Sequence, residues 1–444
     1  MSSKGKVKTK TKLHRSKKLI IPKWKLFRAN EPLLSVFMWG INHSICELSH
    51  VPPPGLLLPD EFKAYSKIKV DNHLFNKDNM PSHFKFKEYC PNVFRNLREK
   101  FGVYDNDYLK SFTKYQPLQS DSPGKSGARF YISYNKRFVI KALCAEEVVE
   151  IHSILHHYYE YVVEKHGKTL LPQYLGMYRL TVEGSETYWI VMRNIFGRKY
   201  LIHKKFDLKG STVQRQASEK EKMKELPTFK DNDFLDEGCK LYLPDDAKQK
   251  LMDMLSSDTA FLTKLHLMDY SLLVGIHDCS KGDEPIGNES SEPLAAAVGK
   301  KLSSISGEAL SGAAYYGSSP PMAAGDSSEP DATSIGSATY GSQPTPPDSP
   351  VPSGGAFGVA TGELDLDDEF YAIPSRAGAP KKELYFVGLV DILTYYGVKK
   401  RTASAAKSVK YGAEADISTV KPDQYARRLV EFVSRALANG GGEA

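Results

Sequence analysis

The stretch Met268-Asp269-Tyr270-Ser271-Leu272-Leu273-Val274-Gly275-Ile276-His277-Asp278 lies where two patterns meet. Before it, residues 246–267 repeat apolar side chains at helical spacing, with Leu251, Met254, Leu255, Leu262 and Leu265 on one side. Asp269 therefore follows directly on an apolar helix. Downstream, Leu384-Tyr385-Phe386-Val387-Gly388-Leu389-Val390 is a short apolar run, the pattern of a buried strand, and Asp391 ends it. Upstream, Arg137-Phe138-Val139-Ile140-Lys141 reads as a strand with Lys141 at its end. Residues 145–164 read as an amphipathic helix, and Tyr188-Trp189-Ile190-Val191-Met192 as a buried strand. Helices and strands mix along one chain, and the expected class is α+β.

The order of these parts has chemical content. A turn with Gly124 and Gly127, a strand ending in Lys141, a helix, then Asp269 and Asp391 make up the inventory of phosphoryl transfer. That chemistry needs a loop over the phosphates, a cation against them, one carboxylate for the attacking hydroxyl and one for magnesium. Each residue also has a plainer reading: a lysine snorkels its charge to water, and an aspartate caps a helix or turn. The standard nucleotide motifs are missing. Gly124-Lys125-Ser126 resembles the end of a P-loop, but the position for its first glycine holds Gln119. The GxGxxG, HRD and DFG signatures of protein kinases do not occur.

Charge points to an anionic partner. The chain of 444 residues has a net charge of +7, but residues 281–380 carry 14 acidic and 4 basic side chains, which leaves +17 on the rest. Two segments, Lys67-Ile68-Lys69-Val70 and His83-Phe84-Lys85-Phe86-Lys87, alternate lysine with apolar residues, as strands with one packed and one basic face do. Residues 1–18 hold eight Lys/Arg and no acid, so 1–22 is expected to be a disordered basic tail. No apolar run approaches the roughly 18–20 residues that span a bilayer, and Leu19-Ile20-Ile21-Pro22 stops too soon for a secretory signal. Membrane association is expected to be peripheral. Cys46, Cys90, Cys144, Cys239 and Cys279 form no CxxC pair, which argues against a zinc site or a disulfide framework and for a reducing cytosolic or nuclear compartment. Residues 280–379 are rich in Ser, Gly, Ala and Pro and read as a disordered acidic insertion within one folded unit. A basic, Ala-rich loop follows at 399–418, then a helix at about 421–437 and a Gly-rich tail at 438–444.

Three blocks carry a resemblance. Asp207-Leu208-Lys209-Gly210-Ser211, the Met268 to Asp278 stretch and Val390-Asp391-Ile392-Leu393 resemble the signature blocks of the phosphatidylinositol phosphate kinases, over about 23–279 and again 381–437. Val36-Phe37-Met38-Trp39-Gly40-Ile41-Asn42-His43-Ser44-Ile45, the run from Lys63 to Phe75, and Ile417-Ser418-Thr419-Val420-Lys421-Pro422 are similar to the type II branch, the phosphatidylinositol 5-phosphate 4-kinases. In that family a loop near the carboxyl end sets substrate choice; type I enzymes carry glutamate where type II carry alanine, and this chain has Ala403.

The resemblance implies a two-lobed fold related to protein kinases, spanning 23–437. An antiparallel sheet would form an amino-terminal lobe at about 23–196, and a carboxyl-terminal lobe at about 197–437 would hold the insertion and a specificity loop at 391–418. It implies roles by position. Lys141 would hold the nucleotide phosphates, Asp269 is the catalytic-loop aspartate, and Asp391 the magnesium ligand. Asn194, Ile195 and Phe196 match the purine hinge, and Val139, Leu273 and Val390 would sandwich the base under the loop at Gly127. Lys209, Arg215, Lys399 and Lys400 are the candidates for the head-group phosphates. Glu147 and Glu150 both remain open as the helix acid for Lys141. The segment near 30–55 would form a homodimer contact that joins two sheets, setting Lys63, Lys67, Lys69, Lys85 and Lys87 of both subunits on one face toward an anionic membrane.

Departures are visible too. The family's Gly-Arg-Phe reads Ala128-Arg129-Phe130, with Gly127 one place early. Met192 stands before Arg-Asn of the hinge, where some type II enzymes have threonine and use GTP well; a thioether lacks that hydroxyl, so a weaker preference for GTP is expected, with ATP the cofactor and GTP a second candidate. The activity implied is ATP-dependent phosphorylation of phosphatidylinositol 5-phosphate on cytoplasmic membrane surfaces, plasma membrane or endomembrane, with the nucleus as a second location. The rivals are a phosphoinositide- or nucleotide-binding scaffold of the same fold with little catalysis, motivated by the Gly127 shift, and a nucleic-acid binder, which rests on the basic tail alone.

Overall fold

The computed structural model describes residues 27–71, 80–120, 128–281, 369–397 and 420–438, all within one compact unit. The expected basic tail, residues 282–368 of the insertion, Gly127, Lys399, Lys400 and Ala403, most of the 391–418 loop, and residues 439–444 lie outside the described residues.

The amino-terminal half is built on a seven-stranded antiparallel sheet. Its strands are β1 (Tyr65–Val70), β2 (Phe84–Tyr89), β3 (Leu118–Gln119), β4 (Phe130–Ile132), β5 (Phe138–Leu143), β6 (Tyr174–Val182) and β7 (Ser185–Arg193), in the order β1-β2-β6-β7-β5-β4-β3. Alternation decides the faces. In β2, Phe84, Phe86 and Glu88 are buried while Lys85 is exposed. Helix α1 (Pro32–Ser49) covers the buried side, where Phe37 meets Trp189, Phe112 and Tyr178 edge to face. Gly40 makes this approach feasible, since a Cβ there would overlap the Phe86 ring at 2.0 Å. Helices α2 (Pro91–Lys100) and α3 (Asp105–Thr113) share this core. Arg98 of α2 is fully buried, donating from Nε to Asp105 at 2.8 Å and from a terminal nitrogen to the Leu175 carbonyl at 2.9 Å. Helix α4 (Ala145–Glu164) follows β5 directly and buries Val148, Ile151, Leu155 and Tyr158.

A second sheet follows. It combines β8 (Lys204–Leu208), β9 (Thr228–Phe229), β11 (Ser271–Asp278), β12 (Ala372–Pro374) and β13 (Glu383–Val390) in the order β12-β13-β11-β8-β9, with only β8–β9 parallel. A two-stranded ribbon pairs β10 (Leu267–Met268) with β14 (Thr394–Tyr395). Helices α5 (Glu219–Lys222) and α6 (Asp231–Asp236) connect strands, and the long α7 (Asp245–Lys264) packs against α8 (Pro422–Ala436). The expected helices at 145–164, 246–267 and 421–437 and the strand at 384–390 all appear within a few residues of their expected bounds.

One boundary is corrected. The expected insertion reached residue 379, but residues 369–379 are folded: Ala372–Pro374 pairs with β13, and Glu369 and Tyr371 are buried. The run Phe370-Tyr371-Ala372-Ile373 is apolar enough to offset the entropy of ordering. Among the described residues no helix is long and apolar enough to cross a membrane.

Candidate active site

The candidate residues converge where the two sheets meet. Lys141 of β5 donates from Nζ to Glu147 Oε1 at 3.0 Å and lies 3.6 Å from Asp391, one residue beyond β13. The open choice of helix acid resolves to Glu147. Its other oxygen accepts the backbone N–H of Cys144 at 3.0 Å, at the first turn of α4. One carboxylate thus caps the helix and holds the lysine, so the start of α4 and Lys141 are fixed together. Glu150 makes no ion pair with Lys141; burial, then Glu147 and Glu146, push its carboxyl upward. Asp391 remains largely exposed, and it adopts a left-handed backbone (φ +57°), as does Asp269 (φ +67°). Non-glycine residues in this region concentrate at functional sites, because the surrounding fold must hold them there.

Asp269 sits in the turn between β10 and β11. Lys209, just after β8, donates to its carboxylate at 2.9 Å and to its backbone carbonyl. Lys209 is therefore a partner of Asp269, not an unoccupied cation. Arg215 also has a different place from the one expected. It is 4% exposed, and its guanidinium donates to Asp231 at 2.7 Å and to the Asp207 carboxylate at 2.5 Å. A buried guanidinium between two carboxylates cannot reach a lipid phosphate, so Arg215 is a structural clamp. Burial would raise the Asp207 carboxyl, but Arg215 and Lys209 hold it below the ordinary carboxylate value.

Asp231 was not legible as a site residue. Fully buried, it accepts the backbone N–H groups of Lys209 (2.9 Å) and Gly210 (2.8 Å) on Oδ1, and Arg215 on Oδ2. It shapes the turn that presents Lys209 to Asp269. Gly210 stands at φ +67°, and a side chain there would strike the Arg428 carbonyl of α8 at 2.8 Å. From the same helix, buried Tyr425 donates to the Tyr270 carbonyl. Helix α8 thus backs both loops that carry Lys209 and Asp269. In the sequence Asp231 sits in the polar run Lys230-Asp231-Asn232-Asp233, which reads like many surface loops and gives no sign of burial.

The residues expected to form the hinge lie between the sheets. Asn194 donates from its side-chain amide to the Lys136 carbonyl at 2.8 Å and accepts the Phe196 N–H at 3.2 Å, so its side chain fixes the hinge backbone. Ile195 and Phe196 press on two glycines of the second sheet: a Cβ on Gly388 would lie 2.9 Å from Ile195, and one on Gly275 2.6 Å from Phe196. Leu273 is paired with Gly388, and Ser271 with Val390, so Leu273, Gly388 and Val390 share the sheet face beneath Ile195. Val139, paired with Met192, approaches from the first sheet. All three apolar candidates are half-buried.

The expected basic strands pair with each other. In β1–β2, Lys67 stands opposite Lys87 and Lys69 opposite Lys85, and the next strand places Arg179 beside Lys87. Lys63, Lys67, Lys69 and Lys85 are exposed. Lys87 lies over the Tyr65 ring at 3.8 Å; burial, then Arg179 and Lys67, pull its ammonium below the ordinary lysine value. Strand β1 forms the edge of its sheet.

Known proteins match this chain over most of its length. The family model described as Phosphatidylinositol-4-phosphate 5-Kinase matches residues 111–436. The phosphatidylinositol 5-phosphate 4-kinase type-2 alpha of Gallus gallus is 51% identical over 433 residues, covering 97% of this chain and 96% of that protein. The type-2 alpha enzyme of Homo sapiens is 51% identical over 432 residues, with 97% and 96% covered. The human type-2 beta enzyme is 51% identical over 425 residues, with 95% and 94% covered.

Proposed function

Because the chain belongs to the phosphatidylinositol-4-phosphate 5-kinase family, we propose that it transfers the γ-phosphate of ATP to the 4-hydroxyl of phosphatidylinositol 5-phosphate. The choice between the two regiochemistries rests on the relatives, which are named 5-phosphate 4-kinases, and on Ala403. The observation that carries the reaction type is the convergence of Lys141, Glu147, Asp391, Lys209 and Asp269 at the junction of the two sheets.

Each residue has a task. Asp269 accepts the proton of the inositol hydroxyl as that oxygen attacks phosphorus. Lys209 orients the Asp269 carboxylate and balances its charge. Lys141, steered by Glu147, supplies positive charge to the nucleotide phosphates, where charge spreads during transfer. Asp391 fits magnesium: an exposed carboxylate beside the phosphate-binding lysine suits an ion that takes one or two carboxylates and keeps the rest of its shell for water and phosphate oxygens. Bound there, magnesium would supply charge neutralisation across the transferred phosphate. The purine would lie between Val139 and the face of Leu273 and Val390, along the hinge backbone.

The lysine face supports docking on an anionic leaflet on cytoplasmic or nuclear membrane surfaces. Each lysine near such a surface contributes on the order of 1 kcal/mol, and pairing two chains through the region of α1 and the open edge of β1 would double the patch. Single-turnover transfer to phosphatidylinositol 5-phosphate vesicles, with Asp391→Asn alongside, tests the reading. Transfer by the parent and a loss of about 100- to 1,000-fold in the variant, the size of losing one electrostatic stabiliser of the transferred group, is expected; equal label in both contradicts it.

A further inference from the structure

Glu369 is the first described residue after 282–368, yet it is 5% exposed and reaches the nucleotide hinge. Its Oε1 accepts two backbone N–H groups, from Arg198 at 3.1 Å and Lys199 at 3.0 Å, far earlier in the chain. Between these amides and Phe196 stands Gly197, at φ +60°, and a side chain there would overlap Glu369, its Cβ 1.5 Å from Oε2. Glycine is thus required at 197 both by the backbone and by the carboxylate. The next residue adds a second contact: the Phe370 ring lies 5.1 Å from the guanidinium of Arg193, the last residue of β7 before the hinge.

A tie that merely closes a long connection needs no charge. An ionised acceptor on two amides, in a place shielded from water, holds them more firmly than a neutral one. The amides it holds end the same short segment that Asn194 fixes at its start. We propose that Glu369 is a positioning residue for the nucleotide. By fixing the turn at Gly197 it sets the backbone of 194–196 against the base, and it joins nucleotide affinity to the chain that follows residue 368. The inference rests on reading 194–196 as the purine hinge.

The test uses the full chain and two readouts: steady-state kinetics, and equilibrium binding of a non-hydrolysable ATP analogue. Glu369→Ala removes both hydrogen bonds to the turn and is expected to raise the KM for ATP and the analogue Kd together by about tenfold. The kcat and the KM for lipid should stay within about twofold. Glu369→Gln, which keeps an acceptor oxygen but not the charge, should recover part of the loss. Unchanged analogue binding in Glu369→Ala overturns the proposal. So does a parallel fall in kcat, both KM values and Tm that Gln fails to rescue, since that is a structural tie alone. Leu273→Ala separates the layers: it should weaken analogue binding whatever Glu369 does. If it does not, the hinge reading fails and takes the proposal with it.

Discussion

The cleft and the β1–β2 face use the same cations in opposite ways. In the cleft each one has a carboxylate within reach: Lys141 has Glu147 at 3.0 Å, Lys209 has Asp269 at 2.9 Å, and Arg215 has both Asp207 and Asp231. On the face, Lys67 opposes Lys87 and Lys69 opposes Lys85, with Arg179 in the next strand. Lys69 and Arg179 reach the exposed Asp71 (2.9 Å) and Glu186 (3.4 Å), while Lys67, Lys85 and Lys87 have no ion pair among the described residues. Like charges directly opposite one another destabilise a sheet. Among the described residues, the cleft cations gain their precision from internal pairing. The face carries charge that an external anion would neutralise.

The largest expected effect breaks the cleft's side of this contrast. Asp231→Ala strips Arg215 of one partner and frees three residues of backbone at the Lys209 turn. Breaking a buried pair by removing one partner costs about 3–5 kcal/mol, so denaturant unfolding should show a loss of that size. Lys67→Glu should cost nothing comparable, because it replaces a repulsion with an attraction to Lys87. Similar losses from both variants would erase the distinction.

How far the sequence reached follows the same division. Period-2 alternation placed the lysines of β1 and β2 on one face, and apolar runs placed β5, β7 and β13, because each pattern is local. The blocks around Asp207, Asp269 and Asp391 marked residues that the fold indeed brings near one another. Partners across long separations were invisible. Glu147 and Glu150 lie on the same side of a helix, and it takes the folded contacts of Glu147, to Lys141 Nζ and to the Cys144 N–H, to separate them. Arg215 stood as a candidate for the head-group phosphates because nothing local reveals that Asp231 is buried beside it. Glu369 lay in a stretch whose composition masked the folded end of the insertion.

A smaller effect concerns the far end of α4. Buried Asp258 of α7 accepts Tyr161 Oη at 2.6 Å, Thr169 Oγ1 at 2.7 Å and the Leu170 N–H at 2.7 Å, linking the helix that carries Glu147 to the second half of the fold. Burial pushes its carboxyl from 3.8 up to about 6, against the pull of these donors. Between these values the folded chain binds a proton that the unfolded chain has lost, so stability falls as pH rises through the window and levels off above pH 6. The difference amounts to about 3 kcal/mol. Urea unfolding at pH 4 and pH 7 should therefore show a steeper decline for the parent than for Asp258→Asn. Parallel slopes would remove Asp258 from the picture.

The smallest effect sharpens the other side. Reversing Lys67 and Lys69 to glutamate should weaken binding to acidic vesicles by roughly 30-fold or more, about 1 kcal/mol for each lysine lost before any repulsion is counted. Turnover of a soluble short-chain substrate should change far less. Vesicle binding equal to the parent's would mean that the exposed lysines serve something other than a membrane.

The most direct test of the proposed activity is to offer the 3-, 4- and 5-monophosphates of phosphatidylinositol separately, with ATP and magnesium, and to identify each product. Conversion of the 5-phosphate lipid to the 4,5-bisphosphate, well above the other two, is the expected result. Turnover restricted to the 4-phosphate lipid would contradict it.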